Sequence, residues 1–178
     1  IIESGSTLII NNCAEIEVFY GGEIVAEEGA ILKISPNAIL NVHDGQGAFV
    51  IHPNVVIPAG YVHPFNVVPP SYSISGGTQT WANKSYALHR ELVIEPGAKL
   101  VLSNPNLQFS ANAGLRIKPN AQLEINGGSL SNYEFCYTTN WKGITVEGNH
   151  TQPQVAEYQG VLELNGTSLL GAVVGVEV

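Results

Sequence analysis

The chain has 178 residues, 44% hydrophobic and 12% charged, enough apolar material for a sizeable core and a composition that argues against disorder. Its formal charge is −8, with only seven Lys and Arg, scattered along the chain. Nucleic acid and anionic membrane surfaces both require clustered cations, so neither is an expected partner, and no membrane insertion is expected.

Residues 1–60 carry a 24-residue repeat. GSTLII at Gly5 recurs as GAILKI at Gly29, Gly21 recurs as Gly45, and Leu8, Ile16, Ile24, Leu32 and Leu40 step by eight. Three eight-residue sides make one coil of a parallel β-helix. A six-residue side, the mark of the left-handed form, is not kept. The handedness of parallel crossovers also favours the right-handed form.

Residues 61–90 lose this register. Their prolines, paired glycines and Ser/Thr/Asn-rich middle read as a loop excursion or a junction between solenoid segments.

From Glu91 the coil pattern restarts with a 23-residue period: Leu92 and Leu115, Pro96 and Pro119, Leu100 and Leu123, and Leu107 and Leu130. Within a coil the apolar residues alternate (Leu92/Ile94, Leu100/Leu102, Leu107/Phe109), which is the period of a half-buried strand. SPNAIL at Ser35, EPGAKL at Glu95 and KPNAQL at Lys118 are corners, with Pro presetting φ and Gly or Asn tolerating positive φ. SNYEFCYTTN and NHTQPQVAEYQ interrupt the coils, yet VLELNGTSL copies LEINGGSL 39 positions later, so the solenoid survives its insertions. The fold expected is an all-β right-handed parallel β-helix, with coils at 1–60, an excursion at 61–90 and interrupted coils at 91–178. The chain does not begin with Met, and its last residues stop within strand-like alternation without a polar cap; further coils are expected beyond Val178 in a longer parent. Cys13 and Cys136 lie several layers apart in an unbroken stack, so free, buried thiols are expected.

The combination TWANKSY, LVIEPGAKLVL, LRIKPNAQLEINGGSL, NWKGITVEGN and GVLELNGTSLLGAVVGVEV resembles the right-handed parallel β-helix regions, of the pectin-lyase-like superfold, found in large secreted surface proteins of Bacteroidetes. The resemblance covers roughly residues 78–178. It implies secretion and a modular parent protein, and it does not imply a reaction.

Catalytic patterns are sparse. The single aspartate, Asp44, excludes within this stretch the aspartate cluster that polygalacturonase-like hydrolases need. Glu124 and Glu163 fall at equivalent outward positions but one layer apart, closer than glycosidase carboxylates. Arg116 and Lys142 are the one pair that β-elimination could use, and no acidic calcium cluster accompanies them. The five histidines have no zinc spacing; His43, Asp44 and His52 form only a loose group, so no metal or cofactor is expected. N-x-[ST] strings stand at Asn83, Asn149 and Asn165, and a bacterial source would give them no weight; the last reads first as an Asn-Gly turn.

Nine of the fourteen aromatic residues fall in the excursions. Tyr61, Tyr72, Trp81, Tyr86, Tyr133 and Tyr137 are therefore the candidate ligand-binding residues, because flat rings with polar tips suit glycan or protein recognition. The competing and preferred reading is that these rings form a small core covering the solenoid flank. The function expected is a non-catalytic segment of a secreted or cell-surface protein, a stalk or scaffold whose loops bind glycan or protein. The alternative is a fragment of a polysaccharide lyase or hydrolase.

Overall fold

The computed structural model describes residues 1–18, 21–35, 38–43, 48–61, 66–111, 113–133 and 140–178. Among them every regular element is a strand, and the strands stack in parallel into a β-solenoid. The chain forms two compact units, Ile1–Pro70 and Ser71–Val178.

In the first unit β1 (Thr7–Ile10), β2 (Glu15–Val18) and β3 (Glu23–Ala26) make one coil; β4 (Ile31–Ile34), β5 (Ile39–His43) and β6 (Ala48–Ile51) make the next. Leu8 pairs with Leu32 and Ile16 with Leu40, the 24-residue period read from the sequence. Ile24 pairs with Phe49, 25 residues on, because one extra residue enters between β5 and β6. A short β7 (Asn66–Val68) adds a third layer on β5. Ile10, Ala26, Ala30, Leu32, Ile34, Ala38 and Leu40 form the core.

The second unit begins with β8 (Ser73–Ile74), β9 (Gly77–Ala82) and β10 (Ser85–Leu88). These lie inside the stretch read from sequence as an excursion, and they form a complete coil. The reason is visible in β9, whose residues Gln79 and Trp81 pair with the inward Leu100 and Leu102. One amide and one large ring hide the aliphatic alternation on which the strand signal rests. The following coils are β11 (Glu91–Ile94), β12 (Ala98–Ser103) and β13 (Asn106–Phe109), then β14 (Gly114–Ile117), β15 (Gln122–Asn126) and β16 (Ser129–Asn132). Above them stand β17 (Ile144–Val146), β18 (Val161–Asn165) and β19 (Ser168–Leu169), with β20 (Val176–Glu177) last.

Three parallel sheets result, ordered β8-β11-β14-β17-β20, β9-β12-β15-β18 and β10-β13-β16-β19. The pairs Leu92↔Leu115, Leu100↔Leu123 and Leu107↔Leu130 are those of the 23-residue repeat. Among the described residues, the strands on either side of each insertion resume in register. Leu115 pairs with Ile144, 29 residues on, and Leu123 with Leu162, 39 residues on, without any slip of the inward row. A slip by one residue would turn that row to solvent, and each buried Leu or Ile is worth about 1.5–3 kcal/mol.

One corner is itself a ladder. Asn83, Asn104, Gly127 and Gly166 occupy the same turn position in successive coils, with φ of 53°, 50°, 72° and 65°. The N–H of Asn104 donates to Asn126 O at 2.7 Å and that of Gly127 to Asn165 O at 2.7 Å, so the ladder continues around the bend. Only Gly and Asn adopt this conformation at low cost.

Cys13 corrects the expectation of a buried free thiol. It is exposed, has φ of 59° in a turn, and is disulfide-bonded. Cys136 lies outside the described residues.

Candidate functional site

The ring-bearing residues singled out from sequence come together in two places, and mostly inside. Trp81 (6% exposed) and Tyr86 (3%) meet edge to face, centroids 5.1 Å apart, with the Lys84 ammonium 5.8 Å from the Tyr86 ring. Trp81 lies on the inward row of its sheet, because it occupies the position of Leu102 one coil earlier. Tyr133 (7% exposed) stands edge-on to His89 at 5.7 Å. The half-buried Tyr72 accepts a hydrogen bond from the His89 N–H at 3.5 Å and carries the Arg90 guanidinium 5.7 Å from its ring. Trp81, Tyr86 and Tyr133 therefore offer no open ring face to a ligand, and what they do is cover the coil interior. Tyr72, with Arg90 on it, and the half-buried Tyr61 keep partial access. Tyr137 lies outside the described residues.

Trp141 is a further interior ring. It is fully buried, stacks on Phe109 at 4.3 Å with planes 13° apart, and donates from Nε1 to Leu170 O at 2.9 Å.

The outward charges of the sheets pair with one another. Arg116, on β14, spans three coils: Nε and Nη2 hold the Glu91 carboxylate at 2.7 and 3.1 Å, and Nη1 holds Glu147. The guanidinium beside Glu91 keeps that carboxyl below the usual carboxylate range, with a smaller contribution from Lys142, against a partial cost of burial. The two carboxylates hold the guanidinium pKa above its ordinary value. A bidentate fork of this kind is geometrically specific. It also commits Arg116, the residue a lyase would use to neutralise a uronate.

On β12, β15 and β18 the same logic holds. The Lys99 ammonium lies 2.7 Å from Glu124, which also accepts from Asn126 Nδ2 at 2.8 Å; both contacts depress the Glu124 pKa, and Glu124 in turn raises that of Lys99. A carboxyl held ionised in this way makes a poor proton donor. Glu163 is its cross-strand neighbour. Lys118 pairs with Glu95 at 2.9 Å. In the first unit the buried His43 lies between Glu17 Oε1 at 2.8 Å and Pro69 O at 3.0 Å. Asp44 and His63 lie outside the described residues, and His52 is exposed with Nδ1 accepting from the Asn54 N–H at 3.2 Å.

An open cleft of about 250 Å³ crosses three coils at the Gly-rich corner, lined by Gly77, Thr78, Gly97, Lys99, Asn120 and Gln122. Positive φ at Gly77, Gly97 and Asn120 turns the chain sharply there. A Cβ on Gly77 or Gly97 would meet nothing within 4 Å, so the missing side chains leave the recess open. Thr78, Lys99 and Gln122 are direct cross-strand neighbours and form a polar row along the coil axis. The cleft has donors and acceptors for a polar ligand and no acid–base pair. The sequence analysis did not single it out, since its residues belong to three separate coils.

No protein-family model, curated protein or solved structure matches this chain.

Proposed function

We propose that the chain is a non-catalytic β-helix segment of a secreted or cell-surface protein, a stalk or display scaffold that contacts glycan or protein at its surface. One observation carries the reading. Arg116, Lys99, Glu124 and Glu91, the charged groups best placed on the sheets for acid–base or uronate chemistry, are all tied to one another or to Glu147 across the coils. Charge pairs spanning layers serve the stack itself. The resemblance to pectin-lyase-like β-helices of Bacteroidetes surface proteins supports the same assignment. The disulfide at Cys13 fits an oxidising, extracellular compartment.

The surfaces we assign to recognition are, in the second unit, the half-exposed Tyr72 with Arg90 and the polar row Thr78–Lys99–Gln122, and, separately in the first unit, Tyr61. Trp81, Tyr86 and Tyr133 hold the coil beneath them. A glycan array on the folded chain, run beside Tyr72→Ala and Gln122→Ala variants, tests this. Binding that one variant loses supports recognition at that surface. Cleavage of a uronate polysaccharide, seen as new unsaturated ends, would overturn the non-catalytic reading.

A further inference from the structure

Three sequons punctuate the second unit, and the structure treats them differently. At Asn165-Gly166-Thr167 the carboxamide Nδ2, the atom a glycan must attach to, donates to Asn126 Oδ1 at 2.9 Å. The Thr167 hydroxyl turns inward, to Ile125 O at 3.2 Å and Gly127 O at 3.0 Å. At Asn83-Lys84-Ser85 the asparagine sits in the corner ladder with φ of 53°, and its Oδ1 accepts from Asn104 Nδ2 at 3.2 Å. Ser85 is already a strand residue paired with Asn106. Neither site can bring its hydroxyl and carboxamide together without unmaking a corner.

Asn149-His150-Thr151 is the opposite case. It opens the excursion between β17 and β18, and residues 149–157 are all exposed. The excursion leaves the coil through a clasp: Gly148 bridges Gln159, the Asn149 N–H donates to Tyr158 O at 3.1 Å, and Gln159 Nε2 donates to Asn149 O at 3.1 Å. Above it the Thr151 hydroxyl donates to Asn149 Oδ1 at 2.7 Å and the Thr151 N–H to the same oxygen at 3.1 Å. Two donors on Oδ1 draw electrons toward the oxygen and make the Nδ2 protons more acidic.

We propose that Asn149 is an acceptor for N-linked glycosylation of the folded chain by any export route that holds an oligosaccharyltransferase, and that Asn83 and Asn165 are not; the proposal rests on the folded geometry of the three sites and not on the strings, which a bacterial source would leave without weight. The co-reactant is a lipid-pyrophosphate-linked oligosaccharide. The Asn149 Nδ2–C1 bond forms, the C1–O bond to pyrophosphate breaks, and one Nδ2 proton passes to a base of the transferase, with no change of oxidation state. A sugar at this point would extend from the tip of a clasped loop, clear of the coil stack.

The test is transfer in vitro to the purified, folded, unglycosylated chain by an oligosaccharyltransferase with its lipid-linked donor, read by intact mass and peptide mapping. A free peptide spanning residues 147–153 runs alongside to show that the enzyme accepts the string itself. Asn149 should exceed Asn83 and Asn165 by about tenfold or more, the factor expected when one hydrogen bond must break first. After reduction and denaturation all three sites should react. Thr151→Ala should abolish transfer and Thr151→Ser retain it, with circular dichroism unchanged in both. Modification of the peptide but not of Asn149 in the folded chain, or equal modification of the three sites, would overturn the proposal.

Discussion

Replacing Trp141 probes whether one ring fastens the upper coils to the rest of the second unit. Its side chain is fully buried, stacked on Phe109 in the adjacent layer, and its N–H closes on Leu170 O. Its backbone is bound to the next layer as well, accepting from the Val173 N–H at 2.7 Å and donating to Gly171 O at 3.2 Å. Trp141→Ala removes the whole ring and leaves a cavity against Phe109, which by comparison with other large-to-small core changes costs about 3–5 kcal/mol. Trp141→Phe keeps most of the stack, loses the N–H, and leaves the Leu170 carbonyl without that donor, so it should cost about 1–2 kcal/mol. Because coils contact only their neighbours, the loss should appear first in residues 141–178. Urea unfolding followed by circular dichroism gives the totals, and amide exchange gives the location. A Trp141→Ala variant within about 1 kcal/mol of the parent, or one whose exchange rises evenly over the unit, would refute the fastening role.

Adjacent glycines at one corner should respond unequally. A Cβ on Gly128 would lie 2.1 Å from Pro105 O, so Gly128→Ala should cost about 2–4 kcal/mol, whereas Gly127→Ala, with nothing nearer than 3.9 Å, should show only backbone strain of about 1–2 kcal/mol in thermal melts. At the same ladder Asn104→Ala should be less stable than Asn104→Gly by about 1 kcal/mol, since both lose the amide contact to Asn83 and only alanine resists φ of 50°; equal melts would remove the ladder argument. Glu91 titrates below its ordinary value of 4.5 in the folded chain, so its contribution is complete above that pH and is lost as pH falls through the depressed value. Melting temperatures measured from neutral pH down to about pH 3 should therefore fall less steeply in Glu91→Gln than in the parent, and parallel curves would contradict the Arg116 assignment.

Much of the coil stack was legible in the chain itself. Leu92, Leu100 and Leu107 find the partners that the 23-residue offset names, and Leu8 finds Leu32, because a parallel ladder brings equivalent residues into direct contact and so forces them to be alike. The corners were legible for a similar reason: positive φ admits few residue types, and Asn120 and Gly97 advertise it. Period and turn chemistry are local properties, and a sequence carries local properties openly.

What the sequence could not carry were relations among residues from different coils. The coil at residues 73–88 stayed hidden because Gln79 and Trp81 occupy inward positions without aliphatic alternation. Whether a ring such as Trp81 faces solvent or the interior depends on which face of its strand the register turns inward, which only the pairing with Leu102 decides. The clasp of Arg116 on Glu91 and Glu147 joins residues 25 and 31 positions apart. The cleft of Thr78, Lys99 and Gln122 likewise exists only once three coils are stacked. The periodicity of the chain determined the stack, and tertiary structure alone decided which charges are spent within it and which surfaces remain for a partner, because that depends on distances across layers that no spacing along one chain records.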